Sequence, residues 1–289
     1  MRLIHLTDPH LSSLAGRTLG SVRWKRKTGF ISWTRNRQHL HRREVLAQLV
    51  SAIRAESADQ FVLTGDLVQI GLEEEIVEAA EWLKALAPPE QVFFVPGNHD
   101  VYARDSWNHV REHWNFVLPP PTAADTSRDG YPVVRDLGHV RLVGASSALV
   151  TPPFSARGAL GAAQFQRLEA ELLEGRKHGQ VTCLAIHHPP LPGMEKWRKA
   201  LREAPALQAL VLRQQPAFVL CGHLHHNVAV LAGKTHAFCT ASASHVHEAS
   251  YRVFDIDTHH VHMRLMTLAP DRKGFAPSEE LEWQVNRAP

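Results

Sequence analysis

Five short apolar runs in this chain each end on residues that ligate metals. Residues 2–7 run into Asp8-Pro9-His10, 60–64 into Gly65-Asp66, and 91–95 into Gly97-Asn98-His99-Asp100. Residues 181–186 run into His187-His188-Pro189, and 217–221 into Gly222-His223-Leu224-His225. Runs of this length bounded by Gly and Pro read as buried strands. In α/β sheets ligands collect at the carboxyl ends of strands, so five such ends point to one place. Between the runs, Val45, Leu46, Leu49, Val50 and Ile53 keep a helical period over 41–57. Further helices are predicted at 73–86, 107–116 and 162–175, the last with Leu168, Leu172 and Leu173 as its core stripe. Hairpins are predicted around Gly138, Gly233-Lys234 and Asp257-Thr258. Strand–helix alternation followed by hairpins predicts an α/β fold. Two mixed sheets would pack together with helices outside, a four-layer α-β-β-α sandwich with a metal site at the C-terminal strand ends. All 289 residues read as one domain without internal repeats, with a polar and irregular tail from about 270.

The residue types at those ends define a chemistry. Asp8 and His10 are two apart, as are His223 and His225, so on extended backbone each pair leaves one face. Gly65, Gly97 and Gly222 allow sharp turns and close approach to an ion. Imidazole nitrogens with carboxylate or amide oxygens, and no thiolate, suit Mn, Fe or Zn. Asp8, His10, Asp66, Asn98, His187, His223 and His225 are too many ligands for one tetrahedral ion. Two ions, most simply Mn²⁺, with Asp66 as the natural bridge, fit the number. Such a pair, about 3.5–4 Å apart, can lower the pKa of a bridging water and clamp a phosphoryl oxygen. Other histidines have plainer readings. His5 reads as packed in its strand, His188 as turned away from the ligand face, His226 as a solvated loop residue, and His245 and His247 as having no metal role.

In this order and at these strand ends, the five motifs resemble the calcineurin-like metallophosphoesterase family over roughly residues 3–268. The resemblance implies one ion on Asp8, His10, Asp66 and His225, and a second on Asp66, Asn98, His187 and His223. It implies two catalytic candidates: His99 as the acid that protonates the leaving oxygen, and Asp100 as its support. An unperturbed imidazole suits that task because its pKa lies near ambient pH. The phosphoprotein phosphatases of the family continue Gly-Asp-x-x-Asp-Arg-Gly, but here Gln69-Ile70 replaces the Asp-Arg pair, which argues against a protein phosphatase. The chain looks like the compact bacterial branch. That branch holds class III cyclic-nucleotide phosphodiesterases and neighbours the UDP-2,3-diacylglucosamine pyrophosphate hydrolases. The expected function is a dinuclear phosphohydrolase cutting a phosphodiester or pyrophosphate. A lipid-linked nucleotide such as UDP-2,3-diacylglucosamine is the leading substrate, and a 3′,5′-cyclic nucleotide the alternative. A non-catalytic scaffold is the reading from another class, and it fits less well because all the ligands and His99 are retained. A metallo-β-lactamase-type hydrolase lacks its H-x-H-x-D-H signature.

Charge is unevenly placed. Lys plus Arg number 32 and Asp plus Glu 29, a net +3. No acid occurs from Pro9 to Arg43, where nine Lys and Arg leave −6 on the rest of the chain (+3 less +9). Residues 17–38 interleave these cations with Trp24, Phe30, Ile31 and Trp33, beside the first ligand motif. The segment is expected to cap the site, draw in an anionic phosphate ester and touch a membrane surface through its aromatic and basic residues. Residues 191–199 would form the opposite lip. A net +3 is weak for a nucleic-acid binder. Three dispersed cysteines exclude a disulfide framework and a zinc ribbon, and read as small buried hydrophobes. No apolar run approaches about 20 residues, so the expected location is cytoplasmic, with contact at the inner membrane surface as its variant. Nothing in the sequence bears on oligomeric state.

Overall fold

The computed structural model describes all residues except 19, 21, 23, 24, 122–125 and 286–289. Arg23 and Trp24 of the basic segment therefore lie outside the described residues. In chain order the first half supplies β1 (Arg2–Leu6), α1 (Lys25–Ser32), α2 (Gln38–Leu40), α3 (Arg43–Ala55), β2 (Gln60–Leu63), α4 (Glu73–Leu86), β3 (Val92–Phe94) and α5 (Arg104–His113). The second half supplies β4 (Val133–Leu137), β5 (Val140–Ala145), α6 (Ala162–Lys177), β6 (Val181–Ile186), α7 (Ala204–Gln214), β7 (Phe218–Cys221), β8 (Val228–Ala232), β9 (Thr235–Cys239), β10 (Ser250–Ile256), β11 (His260–Leu268) and β12 (Phe275–Gln284).

Two six-stranded mixed sheets result, in the orders β12-β11-β10-β1-β2-β3 and β4-β5-β6-β7-β9-β8. β1, β2 and β3 are parallel, as are β5, β6, β7 and β9. Parallel strands covered on both faces must be apolar on both, and these are. Ile4, Leu6, Phe61 and Leu63 pack with Leu46, Leu49, Leu83 and Val110 of α3, α4 and α5. The alternate residues Leu3, Val62 and Phe93 meet Leu142, Cys183 and Phe218 of the other sheet. The outer face of that sheet, with Leu184 and Val219, is covered by Leu168 and Leu172 of α6 and Leu207 and Leu210 of α7. The α-β-β-α sandwich is the expected one. All three cysteines are buried thiols. Leu173 departs from its expected stripe and stays 36% exposed. The helix expected at 107–116 begins a turn earlier, where Ser106 Oγ accepts the Ala103 amide at 3.1 Å.

The expected irregular tail is instead an ordered edge strand. β12 pairs antiparallel with β11 along nine register positions, with an irregularity between Leu265 and Met266. Only Leu281 and Trp283 of its second half turn to the inter-sheet core. The remainder is polar because one side faces solvent, and Pro277 is tolerated because an edge strand has amides to spare.

The basic segment is helical and turned inward. α1 continues through a π-turn, Trp33–Arg37, into α2. Trp33 is buried with Leu14, Val22, Ile70 and Tyr102, and Phe30 packs against them. Arg26 is buried too, donating to the carbonyls of Ile70 (3.0 Å) and Gly71 (2.6 Å) and to Asp105 (2.7 Å). Arg17 pairs with Glu74, and Arg43 with Glu78. Trp33 and Phe30 anchor the cap to the body, and Arg17 and Arg26 of its cations are paired, while Lys27, Ile31 and Arg35 stay exposed. Among the described residues no helix is long and apolar enough to cross a membrane.

Candidate metal centre

The five motifs meet at the rim where both sheets end. The route differs from extended backbone. Asp8, His10, Asp66, His223 and His225 all have positive φ, from 42° to 71°. Among the described residues only nine non-glycine positions do so, and five are these. Such concentration marks a site that the surrounding structure forces into shape. The glycines are needed for proximity. Gly65 has φ +84°, and a Cβ there would strike the backbone of Gly97, while one on Gly222 would strike Thr7 Oγ1 and Asp8 Oδ2.

Two donor clusters form, and Asp66 belongs to both. Donor atoms of Asp8, His10, Asp66 and His225 lie within 4.8 Å of one another, as do those of Asp66, His187 and His223. In the first, His225 Nε2 is 3.1 Å from Asp8 Oδ1 and 3.4 Å from His10 Nε2. In the second, His187 Nε2 is 3.4 Å from Asp66 Oδ2 and 3.2 Å from Asn98 Oδ1. The rings are held from behind. His10 Nδ1 donates to Val68 O at 3.0 Å and His187 Nδ1 to Thr64 O at 2.6 Å. That leaves each Nε2 turned to the cluster, the arrangement that orients imidazole ligands. Asp8 Oδ2 accepts from Thr7 Oγ1 and the His223 amide, while His223 Nε2 is buried without a hydrogen-bond partner and buried Asp8 Oδ1 is close to the His225 ring but not aligned to bond it. Buried polar atoms without partners cost about 1–3 kcal/mol each. Atoms orphaned inside N/O donor clusters fit divalent cations.

Electrostatics agree. Burial works to raise the Asp66 pKa, but His187 and His99 outweigh it and hold the carboxylate well below its usual value. Burial lowers His187, yet Asp66 and Asp8 prevail and raise it to about 10. Positive charge is thus favoured between these groups. Asp100 belongs to neither cluster. Its carboxylate accepts the amides of Asp66, Leu67 and Gly97, each at 2.8 Å, and so ties two motif loops together. Burial and Asp66 raise its pKa, against the pull of those amides.

His99 lies beside the clusters, its ring 4.9 Å from that of His10. Its Nδ1 is hydrogen-bonded to Gln69 O. Arg37 Nη1 stands 3.1 Å from Nδ1 and 3.3 Å from Nε2. Burial and Arg37, against the pull of Asp66, lower His99 to about 4. The ring is therefore neutral at ambient pH, not the unperturbed imidazole the sequence suggested. Arg37 and His41 are the residues that sequence reading missed. Arg37 comes from the basic segment and reaches Gln69 O at 3.3 Å, where the phosphatase motif would carry its Asp-Arg pair. His41 has no local signal.

Of the plainer histidines, His188 does not turn away as expected, its ring lying 4.4 Å from that of His223 and 5.0 Å from that of His187. His5 is clasped by Thr64 and Thr240 hydroxyls at 2.9 and 2.8 Å. Both nitrogens of His188 are occupied, by Ser147 Oγ at 2.8 Å and Ala156 O at 3.0 Å. His226 bonds exposed Glu248, and His245 and His247 stand in neither cluster. A cleft of ≈ 520 Å³ opens over Asp66, Asn98, His99, His223 and His225. Lys25, Arg35, Arg37 and Lys199 line it, the last from the expected opposite lip.

A two-sheet α/β sandwich with shared Asp/His clusters at its rim describes a class, and comparison names it. Residues 1–227 match the model of the calcineurin-like phosphoesterase family, and the chain belongs to that family as a metallophosphoesterase. Sites for two metal ions are typical of it. A probable cyclic nucleotide phosphodiesterase of Rhodococcus erythropolis is 29% identical over 66% of this chain and 59% of its own length. The glycerophosphodiester phosphodiesterase GpdQ of Enterobacter lignolyticus is 31% identical over 72% of this chain and 69% of its own. A dimetal phosphatase from Danio rerio superposes with a TM-score of 0.62 over 97% of this chain and 98% of that one, at 13% identity, a likeness of fold alone.

Proposed function

We propose that this chain is a phosphodiesterase for small anionic diesters, with a 3′,5′-cyclic nucleotide as its substrate. Asp8, His10, Asp66 and His225 would hold one divalent ion, and Asp66, Asn98, His187 and His223 the other, with Mn²⁺ the first candidate. The observation that carries this reading is Asp66 shared by two donor clusters beneath a cationic cleft. When bound, the ions would polarise the phosphoryl group and activate water at neutral pH. The chain's own residues do the rest. Lys25, Arg35, Arg37 and Lys199 attract and orient the anion. Arg37 and Gln69 O fix the His99 ring. An anionic diester beside Arg37 offsets its charge and favours the protonated imidazole, which then gives its proton to the departing alkoxide. Asp100 keeps the Asp66 and Gly97 loops in register.

This substrate preference departs from the leading expectation and takes up the alternative, which the relatives favour. The relatives act on cyclic nucleotides or glycerophosphodiesters by name. Among the described residues the apolar side chains at the cleft are Ile31, Phe154 and Tyr102, enough to lie against a base. Hydrolysis of cAMP and of bis-p-nitrophenyl phosphate with Mn²⁺ tests the reading. Asn98→Ala should depress both. His99→Ala should depress cAMP hydrolysis by about 10²–10⁴-fold but the nitrophenyl ester far less, because only the alkoxide needs a proton. Turnover of UDP-2,3-diacylglucosamine without turnover of cAMP would overturn the substrate. Unchanged rates in both variants would overturn the site.

A further inference from the structure

His41 is the residue at which the cap rejoins the body, between α2 and α3. Donor atoms of His10, His41 and His225 lie within 4.8 Å of one another, a group that shares two imidazoles with the Asp8–Asp66 cluster but includes neither carboxylate. The His41 ring centroid is 4.6 Å from that of His10 and 5.3 Å from that of His225. Its tautomer follows from its neighbours. Ser242 Oγ gives its single proton to Asp8 O at 2.6 Å, so toward His41 Nδ1, 3.2 Å away, it can only accept. Ser244 Oγ stands 2.9 Å from the same nitrogen. With Ser244 Oγ giving its own proton to Ser242 Oγ, 3.4 Å away, His41 Nδ1–H satisfies both serines and leaves the lone pair on Nε2. That Nε2 is buried without a hydrogen-bond partner. His10 and His187 are built alike, with Nδ1 donating to a fixed oxygen and Nε2 left for the cluster.

We infer that His41 is a further metal ligand, adding a third imidazole to those of His10 and His225. The inference rests on the two-ion reading of the same site. It also makes the cap part of the metal centre. Arg42 N donates to Ser244 O at 2.9 Å and Val246 N to Leu40 O at 2.8 Å, so the backbone on both sides of His41 is pinned to the loop that orients its ring. A cleft of ≈ 180 Å³ lined by His10, His41 and Ser244 adjoins it.

Calorimetric titration of EDTA-treated protein with Mn²⁺ tests this, on the wild type, His41→Ala, His41→Asn and His10→Ala. Asn can keep the contact with the serines but offers nothing at the Nε2 position. The expected result is two ions on the wild type. Both His41 variants should bind one of them about tenfold or more weakly, with the other unchanged. Co²⁺-loaded samples should show the same in their d–d bands, altered in both variants. If His41→Asn binds and absorbs like the wild type while His10→Ala loses an ion, His41 is structural and the inference falls alone. If the wild type takes up fewer than two ions, or His10→Ala binds as the wild type does, the two-ion reading falls and this inference with it.

Discussion

Asp8, His10, Asp66, His223 and His225 occupy a backbone region that L-residues avoid, at about 1 kcal/mol or more apiece. The neighbours that enforce it can be named: the Asp100 carboxylate under Asp66, and Asp8 Oδ2 holding the His223 amide. The buried histidines store a second cost that depends on pH. Burial and Arg252 push His5 down to about 3. In the unfolded chain the same ring takes its proton near pH 6.5. Between those values the unfolded state binds more protons, so stability rises with pH. The contribution is complete above about 6.5 and is lost as pH falls toward 3, at up to about 1.4 kcal/mol per pH unit. Urea unfolding of metal-free wild type and His5→Gln at pH 7.5 and 5.5 checks it. The stability advantage of the wild type should shrink by about 1.4 kcal/mol at the lower pH. A constant difference would mean that the ring titrates alike in both states.

At the scale of elements, the cap and β12 matter most. Trp283 lies 4.5 Å from the His236 ring and 6.0 Å from Phe218, ring centre to ring centre. Trp283→Ala should lower the urea midpoint by the equivalent of about 2 kcal/mol, less than a fully buried Trp because it is only partly buried. A change within about 0.5 kcal/mol would return the segment to an irregular tail. Why β12 was illegible is clear from its residues: Ser278, Glu279 and Glu280 mask the two apolar positions of an edge strand. The central strands were legible because both faces are buried and each ends beside Gly or Pro. Asp8, Asp66, Asn98 and His223 could be picked out by their place at those ends. Arg37 and His41 could not, since a helical segment carries no such marker and their relevance depends on contacts with Gln69 and Ser244. The positive φ of the paired histidines was hidden for a similar reason: alternation suggests extended chain, and only the closed site imposes the turn.

At the scale of the molecule, each donor cluster draws on both sheets. Asp8 and Asp66 follow strands of the first sheet, and His187, His223 and His225 follow strands of the second. Bound ions would therefore clamp the two sheets together beyond their apolar contacts, such as the Phe218–Phe254 stack at 4.7 Å. An ion at 100 times its Kd stabilises by about 2.7 kcal/mol. Stripping the protein with EDTA should lower Tm by about 5–10 °C, recovered by Mn²⁺, in scanning fluorimetry. Equal Tm with and without chelator would refute the clamp. The contact from the His223 amide to Asp8 spans 215 residues. A ribosome delivering about 5–20 residues per second would release the first half of that contact roughly 10–40 s before the second. Nascent chains thus expose Asp8, His10 and Asp66 as an open carboxylate–imidazole hook, and loading with cations would wait until His223 and His225 have emerged.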